Sequence, residues 1–385
     1  MYRFIGLIGL FLSLTIAFSS AAETAGGQQA LPFTLSWTSG VCPKCQTAQS
    51  LSEVQFVSPT EAWGIGYVPP GEIGAGAGDY SVVHTRDGGK TWTELPRSYQ
   101  HNDPPRVSFS GRKQGWIMIA DIVEAENRLL QTRDGGAHWR RLPLRDLFVG
   151  DVEYLGKGIG HAYSFDIYKK QGMLLSTKDN GRHWQSSPLP GGFSPDHMKF
   201  LDADKGVLTG CLNRQQLVVI TTTDAGQHWI QVPLDLPNPS SKDVYCAFET
   251  DTLGLLDAQH GWILINKHSF PTGDSTSFGM VFQTSDGGNS WAKTFQTTSA
   301  TEQIELSEAQ FLSPKLGFIS KSNDPNTAQN GQSDMLLFTV DGGATWSAAK
   351  PTPRLWGCRL YSGDLVCAAD GKGFSFVQVS PARAP

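Results

Sequence analysis

The chain has 385 residues, too many for one ordinary compact core, so it calls for several domains, a large barrel or a repeat architecture. Charged residues make up only 17%, and Gly (42) and Pro (22) punctuate the chain, which excludes a helical bundle, a coiled coil and a disordered acidic chain and favours a turn-dense all-β protein. The formal charge of −5 excludes a globally basic nucleic-acid binder.

At the N-terminus, Arg3 precedes an apolar run from Phe4 to Phe18, and Ser19, Ser20, Ala21 and Ala22 supply the small residues of a cleavage site. Residues 1–22 therefore read as a secretory signal peptide. The run is shorter than the roughly 20 residues a spanning helix needs, and no later segment is apolar enough to span. The mature chain, residues 23–385, is expected to be exported to the periplasm or the extracellular space as a monomer without an integral membrane segment. Losing Arg3 with the leader leaves 30 basic residues against 36 acidic ones, a charge of −6.

The first predicted element of the mature chain is a lone strand, Pro32 to Trp37, followed by Cys42-Pro43-Lys44-Cys45. That motif lacks the βαβ context of a thioredoxin-like site, and Gln46 stands where a haem-attachment motif has His, so it reads as a small structural disulfide. The remaining cysteines, Cys211, Cys246, Cys358 and Cys367, complete an even count suited to an exported chain. Cys358 and Cys367 flank a hairpin-like stretch and are expected to pair, as are Cys211 and Cys246 between neighbouring elements.

Six copies of one turn then follow: Thr85-Arg-Asp87-Gly-Gly89-Lys-Thr91-Trp92, Thr132 to Trp139 around Asp134, Thr177 to Trp184 around Asp179, Thr222 to Trp229 around Asp224, Thr284 to Trp291 around Asp286, and Thr339 to Trp346 around Asp341. The aspartates recur every 47, 45, 45, 62 and 55 residues. In such a turn, Asp accepts hydrogen bonds from nearby backbone N–H groups and the Gly two positions on supplies a conformation closed to other residues. The Trp starts the next strand and buries a ring worth roughly 3 kcal/mol. Upstream of each turn lie a strand with apolar period two and a Gly-aromatic strand, as in Val54-Gln-Phe56 to Trp63-Gly64, Val107-Ser-Phe109 to Gly115-Trp116 and Ala309-Gln-Phe311 to Gly317-Phe318.

Each unit thus holds four antiparallel strands a to d, with the Asp turn joining c to d, which is the pattern of a propeller blade. A seventh unit begins at Cys358-Arg-Leu360-Tyr361 and continues through Phe374 to Val379, but it has no Asp turn and no strand d. The strand at Pro32 to Trp37 is expected to supply that missing strand, closing a single seven-bladed propeller over residues 23–385.

The turns match the Asp-box, or bacterial neuraminidase repeat (BNR), pattern across residues 85–346. With the Gly-aromatic strands between them, the chain resembles the photosystem II stability and assembly factor family, whose members are seven-bladed propellers. The resemblance implies a non-catalytic scaffold that binds a protein partner, a membrane-complex subunit being the expected class, with no cofactor and no nucleic acid. Asp-box propellers also occur in sialidases and glucan-cleaving hydrolases, so a carbohydrate-active or glycan-binding propeller is the competing expectation.

No catalytic residue and no metal site are expected. His138, His183 and His228 replace the hydroxyl residue before Trp, but they sit one blade apart, whereas zinc holds its ligand nitrogens at about 2.1 Å. The six aspartates point into their own turns, whereas a glycosidase needs two carboxyls within roughly 5 to 10 Å across one bond. The Arg-Ile-Pro segment of sialidases is absent.

From Arg86 to Arg145 there are 11 basic residues against seven acids, a basic sector on blades one to three. Topology puts the a–b and c–d turns on one face and the longer b–c and d–a loops on the other, where binding residues concentrate. The partner-binding candidates on the loop face are Arg97, Tyr99, His101, Arg106, Arg145, Tyr168, Lys169 and Lys170.

Overall fold

The computed structural model describes residues 32–45, 48–68, 79–100, 105–121, 126–143, 148–166, 171–237, 249–267, 277–299, 305–322, 335–349, 355–369 and 373–382. The predicted signal segment lies outside them.

Among the described residues the chain forms seven four-stranded antiparallel sheets. Strand β1 (Phe33–Gly40) comes first and joins the last blade. Blade 1 is β2 (Ser50–Phe56), β3 (Ala62–Val68), β4 (Asp79–Thr85) and β5 (Thr93–Gln100). Blade 2 is β6 (Arg106–Phe109), β7 (Gly115–Asp121), β8 (Glu126–Thr132) and β9 (Arg140–Arg141). Blade 3 is β10 (Phe148–Gly156), β11 (Ile159–Asp166), β12 (Gln171–Thr177) and β13 (Gln185–Pro188). Blade 4 is β14 (Phe193–Phe200), β15 (Gly206–Leu212), β16 (Gln216–Thr222) and β17 (Ile230–Val232). Blade 5 is β18 (Glu249–Leu255), β19 (Gly261–Lys267), β20 (Ser277–Thr284) and β21 (Ala292–Ser299). Blade 6 is β22 (Glu305–Phe311), β23 (Gly317–Ser322), β24 (Met335–Thr339) and β25 (Ser347–Ala349). Blade 7 is β26 (Leu355–Tyr361), β27 (Asp364–Ala369) and β28 (Phe374–Pro381), with β1 as its outer strand.

The ring closes as the sequence implies. Strand β1 pairs with β28 from Phe33↔Pro381 to Gly40↔Phe374, so the two ends of the chain are joined by a full antiparallel ladder. The inner strands of neighbouring blades touch all the way round, β26 against β2 included. Seven apolar clusters occupy the junctions between blades. Val366 and Phe376 of blade 7 meet Val54 and Phe56 of blade 1, for instance, and Trp262 of blade 5 meets Phe311 of blade 6. Because neighbours cover both of its faces, β19 is buried along its whole length, which explains its unbroken run Trp262-Ile-Leu-Ile265.

The Gly-aromatic signature has a packing cause. A Cβ on Gly115 would lie 2.1 Å from the Phe109 ring of the adjacent strand, so the glycine leaves room for the ring. Gly89 combines φ +83° with a position 2.3 Å from Phe376 across the closure, a double demand only glycine meets.

Two of the expected disulfides are present, Cys42–Cys45 and Cys358–Cys367. Cys211 is disulfide-bonded, and Cys246 lies outside the described residues.

Candidate functional site

The Asp turns form a stapled face. In the first, Asp87 Oδ1 accepts from the Thr91 N–H (2.9 Å) and the Thr85 hydroxyl (2.9 Å), and Oδ2 accepts from the Thr91 hydroxyl (2.6 Å). Thr85 Oγ1 in turn accepts from the Gly89 N–H at 3.0 Å. His138, His183 and His228 substitute for that hydroxyl residue: each places Nδ1 2.6–2.7 Å from Oδ2 of its own aspartate, Asp134, Asp179 and Asp224. The three imidazoles thus serve separate turns. The hydrogen bonds from His138 backbone and ring hold Asp134 down at about 2, and those from His228 do the same for Asp224, so these carboxylates stay ionised at neutral pH. The tryptophans Trp92 and Trp291 are buried, while Trp139, Trp184, Trp229 and Trp346 are half-buried, Trp139 standing edge-on to Trp63 of the preceding blade at 5.5 Å.

Each Asp turn is also tied to the a–b turn of its own blade by one backbone bond, such as Gly88 N–H to Thr60 O (2.9 Å), Gly135 N–H to Lys113 O (3.1 Å) and Gly342 N–H to Lys315 O (2.9 Å). Both sets of turns therefore occupy one face, as the topology requires.

Of the basic sector, Arg86, Lys90, Arg112, Lys113 and Arg133 lie on this turn face, opposite the b–c and d–a loops, and Lys157, Lys178 and Arg182 continue it into blade 3. All of these side chains are exposed. Several of them bridge blades. Arg86 donates to Gly135 O of the next Asp turn at 3.3 Å, Arg112 Nε donates to Glu61 of blade 1 at 3.1 Å, and Lys178 stands 3.8 Å from Asp204 of blade 4. Glu61 also meets His84 Nε2 at 3.1 Å, with Trp63 stacked on the imidazole. Burial holds His84 below its ordinary pKa despite the carboxylate beside it. Glu61 and His84 are both buried within blade 1, and Arg112 makes the carboxylate a strap to blade 2 rather than an open acid–base site.

Of the loop-face candidates, Arg106 is half-buried on inner strand β6, and Arg97 and Tyr99 lie on β5 with only their backbone described. His101, Arg145, Tyr168, Lys169 and Lys170 lie outside the described residues.

The inner strands carry a charged lining that their apolar period does not reveal. Arg359 Nη2 donates to Glu53 Oε1 at 2.6 Å, and Glu53 foremost, with Glu308 and Asp151, raises the guanidinium above its ordinary value. Glu308 is buried, and burial pushes it upward. Its oxygens accept from the Cys358 N–H (3.0 Å), Gln310 Nε2 (2.9 Å) and the Thr252 hydroxyl (3.2 Å). Glu153 takes the Phe200 N–H at 2.6 Å and Lys199 Nζ at 2.5 Å. These acids tie inner strands of neighbouring blades together. For Glu53 and Glu308 the signal is a Glu three residues before the strand's aromatic, Phe56 and Phe311, a spacing that Glu153 does not share.

Fold and turns define the class, a seven-bladed Asp-box propeller whose described carboxylates are engaged in structural bonds. The family resemblance holds as well: residues 44–190 match the family described as "Photosynthesis system II assembly factor YCF48". The chain is similar to the chloroplastic photosystem II stability/assembly factor HCF136 of Arabidopsis thaliana, 34% identical over 85 residues, covering 20% of this chain and 18% of that protein. The matched stretch thus spans under a fifth of the curated relative. Among solved structures, YCF48 bound to D1 peptide superposes with a TM-score of 0.54 at 18% identity, covering 92% of this chain and 99% of that one. YCF48 from Cyanidioschyzon merolae gives 0.55 at 16% identity, covering 90% and 99%. Both show the shared fold.

Proposed function

We propose that the protein is a non-catalytic, exported scaffold that binds a segment of a membrane-complex subunit during assembly, working in the periplasm or the extracellular space after removal of residues 1–22. The observation that carries this reading is the combination of the family match over residues 44–190 with a fold shared with a YCF48 structure that holds a D1 peptide. The engagement of Glu53, Glu61, Glu153 and Glu308 in bonds between blades supports the non-catalytic half of it. The loop-face candidates, with Arg106 and Arg97 foremost, supply the partner contact, where charge complementarity sets orientation and rate.

The test is affinity capture from the organism's own envelope with residues 23–385 as bait, at low and moderate salt, with mass identification of what is retained. Recovery of a membrane-complex subunit, weakened by salt, is the expected result. Recovery of none, together with binding or cleavage on a glycan panel, would replace this reading with the carbohydrate one. Mapping the N-terminus of the protein in the cell checks export, with residue 23 as the expected start.

A further inference from the structure

The turn face is electrically lopsided in a position-matched way. The two variable positions of each Asp turn hold Arg86 and Lys90 in blade 1, Arg133 in blade 2, and Lys178 and Arg182 in blade 3. The same positions in blades 5 and 6 hold Ser285, Asn289, Val340 and Ala344. In the a–b turns, blade 2 holds Arg112 and Lys113 and blade 3 holds Lys157, against one lysine each in blades 4 (Lys205) and 6 (Lys315) and no cation in those of blades 1, 5 and 7, among the described residues. Cations thus crowd one sector of a face that elsewhere carries mainly the turn aspartates.

That sector is also held in place. Each turn tip is stapled internally by its Asp and pinned to the a–b turn of its own blade by a backbone bond. The backbone donors of the tips are already engaged, which leaves no free edge for an extended peptide to pair with. Beside Lys90, Val41 stands 57% exposed, held there by its N–H bond to Lys90 O (3.0 Å). An array of cations on fixed turn tips, with an apolar side chain exposed at its margin, matches an anionic lipid surface into which the valine dips.

We propose that the Asp-turn face of blades 1 to 3 docks the protein on an anionic lipid bilayer. The inference stands apart from the partner reading above. Docked in this way, the molecule turns its loop face away from the bilayer. Each cation at an anionic surface contributes about fivefold to binding, and salt screens the effect.

The experiment is flotation of the mature chain with vesicles of phosphatidylcholine alone or mixed with phosphatidylglycerol, at low and moderate salt. The expected result is association only with the mixed vesicles, weakened by salt, reduced at least tenfold by the triple variant Lys90→Glu, Lys113→Glu, Arg182→Glu and unchanged by Lys315→Glu. The corresponding triple change to Gln, expected to weaken association less, serves if the charge reversal does not fold. No dependence on phosphatidylglycerol, or equal flotation of the folded triple variant, overturns the proposal. Capture of polyglutamate by this face in place of vesicles does so too, and reassigns it to an acidic protein chain.

Discussion

At the scale of single residues, polar groups carry most of the information. His161 is buried, 1% exposed, stacked on Phe200 at 3.7 Å and bonded to Ser176, and burial pushes it down to about 4 from an unfolded value of 6.5. The folded pKa is the lower one, so between those values the unfolded chain binds the extra proton. The stability is fully present above 6.5 and is lost as pH falls towards 4, by about 3 kcal/mol in all. Urea midpoints measured across that range are expected to fall with acid, and His161→Phe is expected to flatten the slope. At the Asp turns, His138→Thr restores the hydroxyl used by Thr91 and Thr345 and should leave the melting temperature within about 2 °C, whereas His138→Ala should lower it more. A thermal melt of the three proteins separates those outcomes.

At the scale of elements, close approach and buried hydrogen bonds set the cost of change. Gly115→Ala drives a methyl into the Phe109 ring and is expected to destabilise by about 2 kcal/mol, read as a shift of the denaturant midpoint without a change of slope. Glu308 couples β22 to β26 through the Cys358 N–H. Glu308→Ala strands that donor and should cost about 2 kcal/mol, while Glu308→Gln retains an acceptor and should cost less. Equal losses in the two variants would show that packing, not the hydrogen bond, is what Glu308 provides. These acids were invisible to a reading of apolar periodicity, because a glutamate in an alternating strand looks like a solvent-facing position until the neighbouring blade covers it.

At the scale of the whole molecule, the ring depends on its closure. Removing residues 33–40 takes away the outer strand of blade 7 and exposes the edge of β28. The expected result is loss of the monomer in size-exclusion chromatography, and a compact, cooperatively unfolding monomer would show that six complete blades suffice. Within the closing blade, the Cys358–Cys367 bond spans a sequence separation of 9, and replacing both cysteines by serine is expected to cost about 2.5 kcal/mol, measured against the oxidised parent.

Seven blades and their closure were legible in the sequence because the Asp turn is a local device. Thr, Asp, Gly and Trp at fixed spacing satisfy one another within eight residues, so each copy announces its own hairpin, and the strand left over at Phe33 has one vacant place in the ring. The replacement of hydroxyl by imidazole at His138, His183 and His228 was readable for the same reason. What only the tertiary structure decided is where charges from different blades meet. Arg112 finds Glu61, Arg359 finds Glu53, and Lys199 finds Glu153 beside the Phe200 N–H of the next blade. Those encounters join residues dozens to hundreds of positions apart, and their geometry comes from the packing of whole blades around the ring, which no local pattern along the chain encodes.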